Sequence, residues 1–116
     1  MRQSLVPMLS ALLALAVLSG PVLSQNYPAR PVRLVVPFSP GGTTDVVARS
    51  IAPKLSELLG QQVVVDNRPG ASTIIGTDVV AKAPPDGYTI MVATPDFTIN
   101  PSLMAKLPYN SEKDLA

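Results

Sequence analysis

The sequence predicts an α/β domain in which parallel strands alternate with helices in the order β-α-β-α-β. Three observations carry this expectation. Three short runs, Val32 to Phe38, Gln62 to Asp66 and Tyr88 to Ala93, are rich in β-branched residues and apolar at their centres, as strands covered on both faces must be. Between them lie two stretches with apolar residues at helical spacing. Clusters of Gly, Pro, Asn and Ser punctuate the joints, and strands joined by helical crossovers run parallel.

Each element follows from its residues. Gln25 to Pro31 reads as an exposed lead-in, with Tyr27-Pro28 and Arg30-Pro31 keeping the backbone extended. The first strand then runs until Ser39-Pro40-Gly41-Gly42 breaks it. A helix starts at Thr43 or Thr44, either hydroxyl serving as N-cap, and Val47, Ile51, Leu55, Leu58 and Leu59 form its apolar face. Gly60 stops it, while Pro53, which cannot donate to the Arg49 carbonyl, predicts a kink or short break. The second strand centres on Val63, Val64 and Val65 and ends at Asn67-Arg68-Pro69-Gly70. A second helix begins at Ser72 or Thr73, has Ile75, Val79 and Val80 as its apolar side, and closes at Pro84-Pro85-Asp86-Gly87 before the third strand. Beyond Thr94-Pro95-Asp96 the chain reads as irregular through Asn100-Pro101, with a helical turn over Ser102 to Lys106. Asn110 or Ser111 is placed to cap a further helix with Glu112 in its first turn.

The start of the chain has a different character. Met1-Arg2-Gln3 is a cationic opening, Leu5 to Leu18 carries no charge, and Ser19-Gly20-Pro21 ends the run. That is the pattern of a secretory signal peptide over residues 1–24, with Val22-Leu23-Ser24 placing cleavage between Ser24 and Gln25. The run is shorter than the ~20 apolar residues that span a bilayer, and no basic stop-transfer cluster follows it. Residues 25–116 then form the exported part, destined for the periplasm. Removing Arg2 from nine basic residues leaves eight against eight acidic ones, so this part is formally neutral and lacks the basic stripe that nucleic acid demands. The chain has no Cys and no His. Disulfides, Ser-His-Asp and Cys-His catalysis, and the usual zinc sites are therefore outside its means.

Ligands of open parallel sheets bind beyond the carboxyl ends of the strands, which selects three loops: Ser39 to Thr44, Asn67 to Thr73, and Thr94 to Asp96. Gly41 and Gly42 let a ligand approach the backbone, and the N–H groups of the following helix N-terminus favour an anion there. Ser72 and Thr73 repeat the arrangement. Alone, the glycine pair reads as an ordinary strand-to-helix turn. No Lys-Ser or Lys-Thr follows it, so a Walker phosphate loop is excluded, as is the three-glycine dinucleotide spacing. Arg49 and Arg68 read as structural, either as surface charges or as partners of Asp45 and Asp66, and Tyr88 as strand packing. Asp45 can itself favour the helix dipole.

Arg30-Pro-Val-Arg-Leu-Val-Val-Pro-Phe-Ser-Pro-Gly-Gly-Thr-Thr-Asp-Val-Val-Ala-Arg49 resembles the opening of the Bug family of periplasmic receptors, the solute-binding proteins of tripartite tricarboxylate transporters. The likeness continues through Leu55 to Ala71, Ala81 to Thr89, Ile99-Asn-Pro-Ser-Leu103 and Leu107-Pro-Tyr109, covering the chain after its leader. It implies a periplasmic-binding-protein-like fold, type II-like, in which two hinged lobes close on a small carboxylate or a related aromatic acid or amide. It implies no catalysis, cofactor or metal, a monomer when complete, and a tripartite tricarboxylate transporter membrane complex as partner. The ligand-binding positions it selects are Phe38, Ser39, Gly41, Gly42, Thr43, Thr44, Asp45, Ala71, Ser72, Thr73, Thr94 and Asp96, with the carboxylate held largely by backbone groups and ordered waters. Two departures bear on the pocket: Thr73-Ile74 replaces a frequent Gly-Asn, and Asp96 stands where small residues are common. The family's chains continue through a second domain whereas this one ends at Ala116, so the expectation is a partial chain carrying an incomplete first lobe. A secreted α/β hydrolase or transferase fragment, or a non-binding remnant of a truncated gene, is the alternative.

Overall fold

The computed structural model describes residues 26–115, so the expected leader and its cleavage point lie outside the described residues. Three parallel strands, β1 (Val32–Val36), β2 (Val63–Asn67) and β3 (Thr89–Met91), form one sheet in the order β2-β1-β3. Val32 pairs with Val63 and Val36 with Asn67 on one side, and Leu34 pairs with Ile90 on the other. The helices are α1 (Thr43–Leu59), α2 (Ile74–Ala81) and α3 (Pro95–Leu103).

β1 is central, and its side chains are buried on both faces: Val32, Leu34 and Val36 point one way and Val35 the other. The first face packs under α1 through Ala48 and Ala52, with Leu55, Leu59 and Phe38 around them. On the other face, α2 packs against β1 and β3. Strand order 2-1-3 with right-handed crossovers requires this placement, one helix on each side of the sheet.

α1 turns Leu55 and Leu59 of its expected apolar face towards the core but centres the contact on alanines. Val47, Ile51 and Leu58 are 50%, 43% and 72% exposed, whereas Ala48 and Ala52 are buried. A 3.6-residue period allows two apolar stripes here, and the alanines win because a small contact surface brings the helix close to β1. The helix also continues through Pro53 without the expected break. Proline removes only the bond to the Arg49 carbonyl, and both residues are solvent-exposed, so water replaces that bond. Gly60 ends the helix in the left-handed conformation, at φ 67°.

α3 occupies the stretch read as irregular. Pro95 is at its first turn, where a fixed φ and a missing N–H suit the helix, so this proline starts an element instead of breaking one. The turn expected over Ser102 to Lys106 meets α3 only at its last residues. The expected cap at Asn110 is real but holds a single turn: its side-chain oxygen accepts the N–H groups of Glu112 and Lys113, and no helix follows. At the opposite end of the sheet the lead-in is clasped. The Tyr27 hydroxyl donates to the Gly87 carbonyl, and Arg30 pairs with Asp86 while stacking 4.1 Å above the Tyr88 ring.

Candidate functional site

Because the strands are parallel, the loops after β1, β2 and β3 and the N-termini of all three helices gather at one edge of the sheet. The strand order reverses at β1, whose loop leads to the α1 face while α2 lies across the other. A crevice at such a switch point is where open α/β sheets hold ligands.

The loop after β1 is locked by one carboxylate. Gly42, in extended conformation, is the N-cap of α1, and neither Thr43 nor Thr44 caps it as expected. Asp45 instead fastens the loop ahead of the helix by reaching back from the first turn: its Oδ2 accepts the Gly41 N–H at 2.8 Å. Arg49 Nε donates to both Asp45 oxygens at 3.0 Å, and Asn67 Nδ2 donates to Oδ1 at 2.9 Å and to the Phe38 carbonyl at 3.1 Å. Asp45 is 3% exposed and Gly41 has φ 83°, a value glycine tolerates. The first intrahelical bond runs from Val46 N–H to the Gly42 carbonyl, which leaves the Thr43, Thr44 and Asp45 amides without an intrahelical acceptor.

These contacts hold the Asp45 pKa down from 3.8 to about 2, the Arg49 hydrogen bond contributing most, then the Gly41 amide and Asn67. Burial of Asp66 works to raise its pKa, but Arg33 and Arg68 outweigh it and the net shift is also downward. A depressed carboxylate pKa stabilises the fold fully above the ordinary value and loses that contribution as pH falls through the folded-state value. Stability is therefore expected to decline as pH drops from about 4 towards 2, with a shallower decline in Asp45→Asn. Denaturant melts across that range check this; an unchanged slope in a folded Asp45→Asn chain would exclude Asp45 as the group responsible.

The loop after β2 is built from strained backbone. Ala71, Ser72 and Thr73 have φ of 47°, 50° and 73°, the left-handed region, which costs a residue with a Cβ roughly 1–2 kcal/mol. Thr73 is the N-cap of α2 and is buried, again without a side-chain cap. Two contacts seat this loop. Gly76 lies so close to Pro37 that a Cβ would stand 2.7 Å from Pro37 Cβ, and Asn100 Nδ2 donates 2.8 Å to the Ser72 carbonyl. The third loop starts α3: Thr94 is its extended N-cap, and its hydroxyl donates to Asp96 Oδ2 at 3.2 Å.

Of the expected site residues, Ser39, Gly41, Gly42, Thr43, Ala71 and Ser72 are exposed at this edge, and Phe38, Thr44, Thr94 and Asp96 are half-buried. Asp45 and Thr73 are buried and committed to the framework, so they shape the loops from behind. Asn67, at the head of the expected second loop, and Asn100, outside the expected site, tie these loops to β2 and α3. Their signal was their position, Asn67 at a strand end and Asn100 inside the Ile99-Asn-Pro-Ser-Leu103 motif. The cations beside the loops, Arg49 and Arg68, pair with Asp45 and Asp66, which settles between the two roles their sequence allowed. Asp45 and Asp96 sit in the first turns of α1 and α3, but α2 has no acid in its own, so its N-terminus is the least neutralised of the three. Among the described residues no cluster of three acidic side chains forms a metal site.

Concavities of about 420 and 680 Å³ lie elsewhere, beside β3 and between α3 and the Tyr109 turn, and neither is lined by the glycine or left-handed loops. The chemistry favours the loops, since converging backbone amides rather than volume recognise an anion.

A parallel sheet with its helices on both faces and backbone-lined loops at its switch point defines an open α/β lobe, and solved periplasmic proteins share it, one described as a periplasmic transporter at 44% identity and a TM-score of 0.69 over 73% of this chain and 29% of that one. Residues 47–116 match the model of the tripartite tricarboxylate transporter family receptor, and the chain belongs to that family. It is 44% identical over 113 residues to protein BugT of Bordetella pertussis, covering 96% of this chain and 35% of that one. Among solved structures, MatC of Rhodopseudomonas palustris with bound malate is 39% identical with a TM-score of 0.70, covering 76% of this chain and 30% of that one. An R. palustris protein solved with adipate is 55% identical with a TM-score of 0.59, covering 61% and 24%. The chain spans about a third of the length of the curated relatives it matches, at 35% and 31%.

Proposed function

We propose that this chain supplies one ligand-facing wall of a periplasmic receptor for small carboxylates, acting by binding and not by catalysis. The observation that carries the reading is the edge itself: three helix N-termini converge there, the Thr43, Thr44 and Ile75 amides have no backbone acceptor, and the neighbouring cations are already paired with Asp45 and Asp66. Relatives solved with malate and with adipate support it. The carboxylate sits nearest the first turn of α2, whose dipole no acid offsets. Handover to a tripartite tricarboxylate transporter membrane complex completes the role.

One wall alone binds weakly. Each amide-end contact to an anion in open solvent is worth ~0.3–1 kcal/mol, against an association cost of at least about 4 kcal/mol. Titration of the chain with malate, followed on backbone amides by NMR, is expected to move the signals of residues 42–45 and 72–76 with a dissociation constant no tighter than about 1 mM. Shifts confined to the concavities beside β3 and Tyr109 would overturn the reading, and micromolar affinity would overturn the claim that one wall alone binds weakly. Export is tested separately: in a Gram-negative host, periplasmic protein should begin at Gln25 by mass spectrometry, and an intact Met1 on soluble cytoplasmic protein would contradict it.

A further inference from the structure

We propose that Asn100 is a positioning residue for the anion-facing turn, so that α3 sets the direction of the amides that open α2. The functional half of this inference rests on the carboxylate reading above; the structural half rests on the contacts themselves. Three consecutive side-chain-bearing residues, Ala71 to Thr73, adopt left-handed φ. Such a run persists only where its surroundings over-determine it. Local bonds hold its two ends: Ile74 N–H donates to the Ala71 carbonyl at 3.1 Å, and Thr77 donates to the Thr73 carbonyl through its N–H at 3.0 Å and its hydroxyl at 2.9 Å.

The apex is held from elsewhere. The Ser72 carbonyl accepts Asn100 Nδ2 at 2.8 Å, and the same amide lies 3.4 Å from the Thr73 hydroxyl. Asn100 is 3% exposed, so water does not compete for this bond. The peptide group is planar and trans, so a carbonyl turned towards α3 directs the following Thr73 N–H away from it. Asn100 touches no ligand in this arrangement. Its effect passes through the turn.

The test uses the full labelled chain and Asn100→Leu, which is of similar size but cannot donate. The variant is expected to change the φ-sensitive couplings of Ala71 to Thr73 and to speed amide exchange at Ile74 and Thr77, whose N–H groups bond the turn's carbonyls, at least tenfold, while exchange at Leu34 and Val35 stays as in the parent. Malate affinity read at Ile75 should fall at least threefold. Unchanged couplings and exchange in a folded variant would overturn the proposal. So would a loss spread equally to Val35, which would make Asn100 a packing residue only. Should Asn100→Leu not fold, the parent decides: its Asn100 side-chain amide protons should exchange slowly and move with the same malate midpoint as Ser72 and Ile75, and freely exchanging protons there would overturn the proposal. A parent chain that ignores malate, while Asn100→Leu still loosens the turn, would contradict the carboxylate reading and uphold the hold of Asn100 on the loop.

Discussion

Gly76→Ala is expected to abolish cooperative folding of the chain. The new Cβ would lie 2.7 Å from Pro37 Cβ, 2.9 Å from Pro37 Cα and 2.8 Å from the Arg68 carbonyl oxygen. Two of these neighbours are backbone atoms, and Pro37 directly follows the central strand, so no flexible side chain is there to give way. α2 must lift from β1, taking Thr77 with it, which is fully buried between the helix and Met91. Overpacking typically costs 1–3 kcal/mol even where rotamers can adjust, and this contact belongs at the upper end, about 3 kcal/mol. A three-stranded unit with large apolar residues left exposed on α1 has little stability to spare. Circular dichroism and thermal melting of Gly76→Ala beside the parent measure the effect; a melting temperature within a few degrees of the parent would refute the close contact.

Gly42→Val separates binding from folding. Unlike Gly41, whose φ of 83° excludes ordinary side chains, Gly42 has φ −74° and ψ 169°, and a Cβ there meets only the Ser39 carbonyl oxygen at 3.4 Å. The fold therefore tolerates valine, with a penalty of ~1 kcal/mol for a poorer N-cap. The branched side chain stands beside the free amides of Thr43 and Thr44 and blocks the approach of a carboxylate. Saturable malate shifts at residues 42–45 should disappear while the melting transition persists. Intact malate shifts in the folded variant would return the glycine pair to a simple turn.

The order of strands and helices was legible because three apolar, β-branched runs are separated by dense turn residues. The position of β1 between β2 and β3 was not, since a hydrophobic run states that a strand is buried without naming its neighbours. The glycine loop could be read from composition, yet its lock could not. Asp45 was recognisable as a first-turn acid, but its grip on Gly41 and Asn67 depends on residues brought together by the sheet. Asn100 escaped for the same reason, its partner lying 28 positions away. α3 was not legible because the stretch after Thr94-Pro95-Asp96 lacks helical apolar spacing and holds two prolines, of which Pro95 acts as a first-turn residue. Leu55 and Leu59 of the expected α1 face do pack inward, but the centre of that face escaped because alanines carry little hydrophobic signal although they allow the closest approach.

The central claim is that backbone amides at the switch-point edge hold a carboxylate by its charge, and the most direct measurement compares malate with its dimethyl ester. The two differ in charge far more than in shape. Amides of Thr43, Thr44 and Ile75 should respond saturably to malate and not to the ester, and the malate response should weaken as salt rises, because exposed charge interactions are screened over ~10 Å at 0.1 M ionic strength. Equal responses to acid and ester at these amides, or a malate response centred on other residues, would contradict the account.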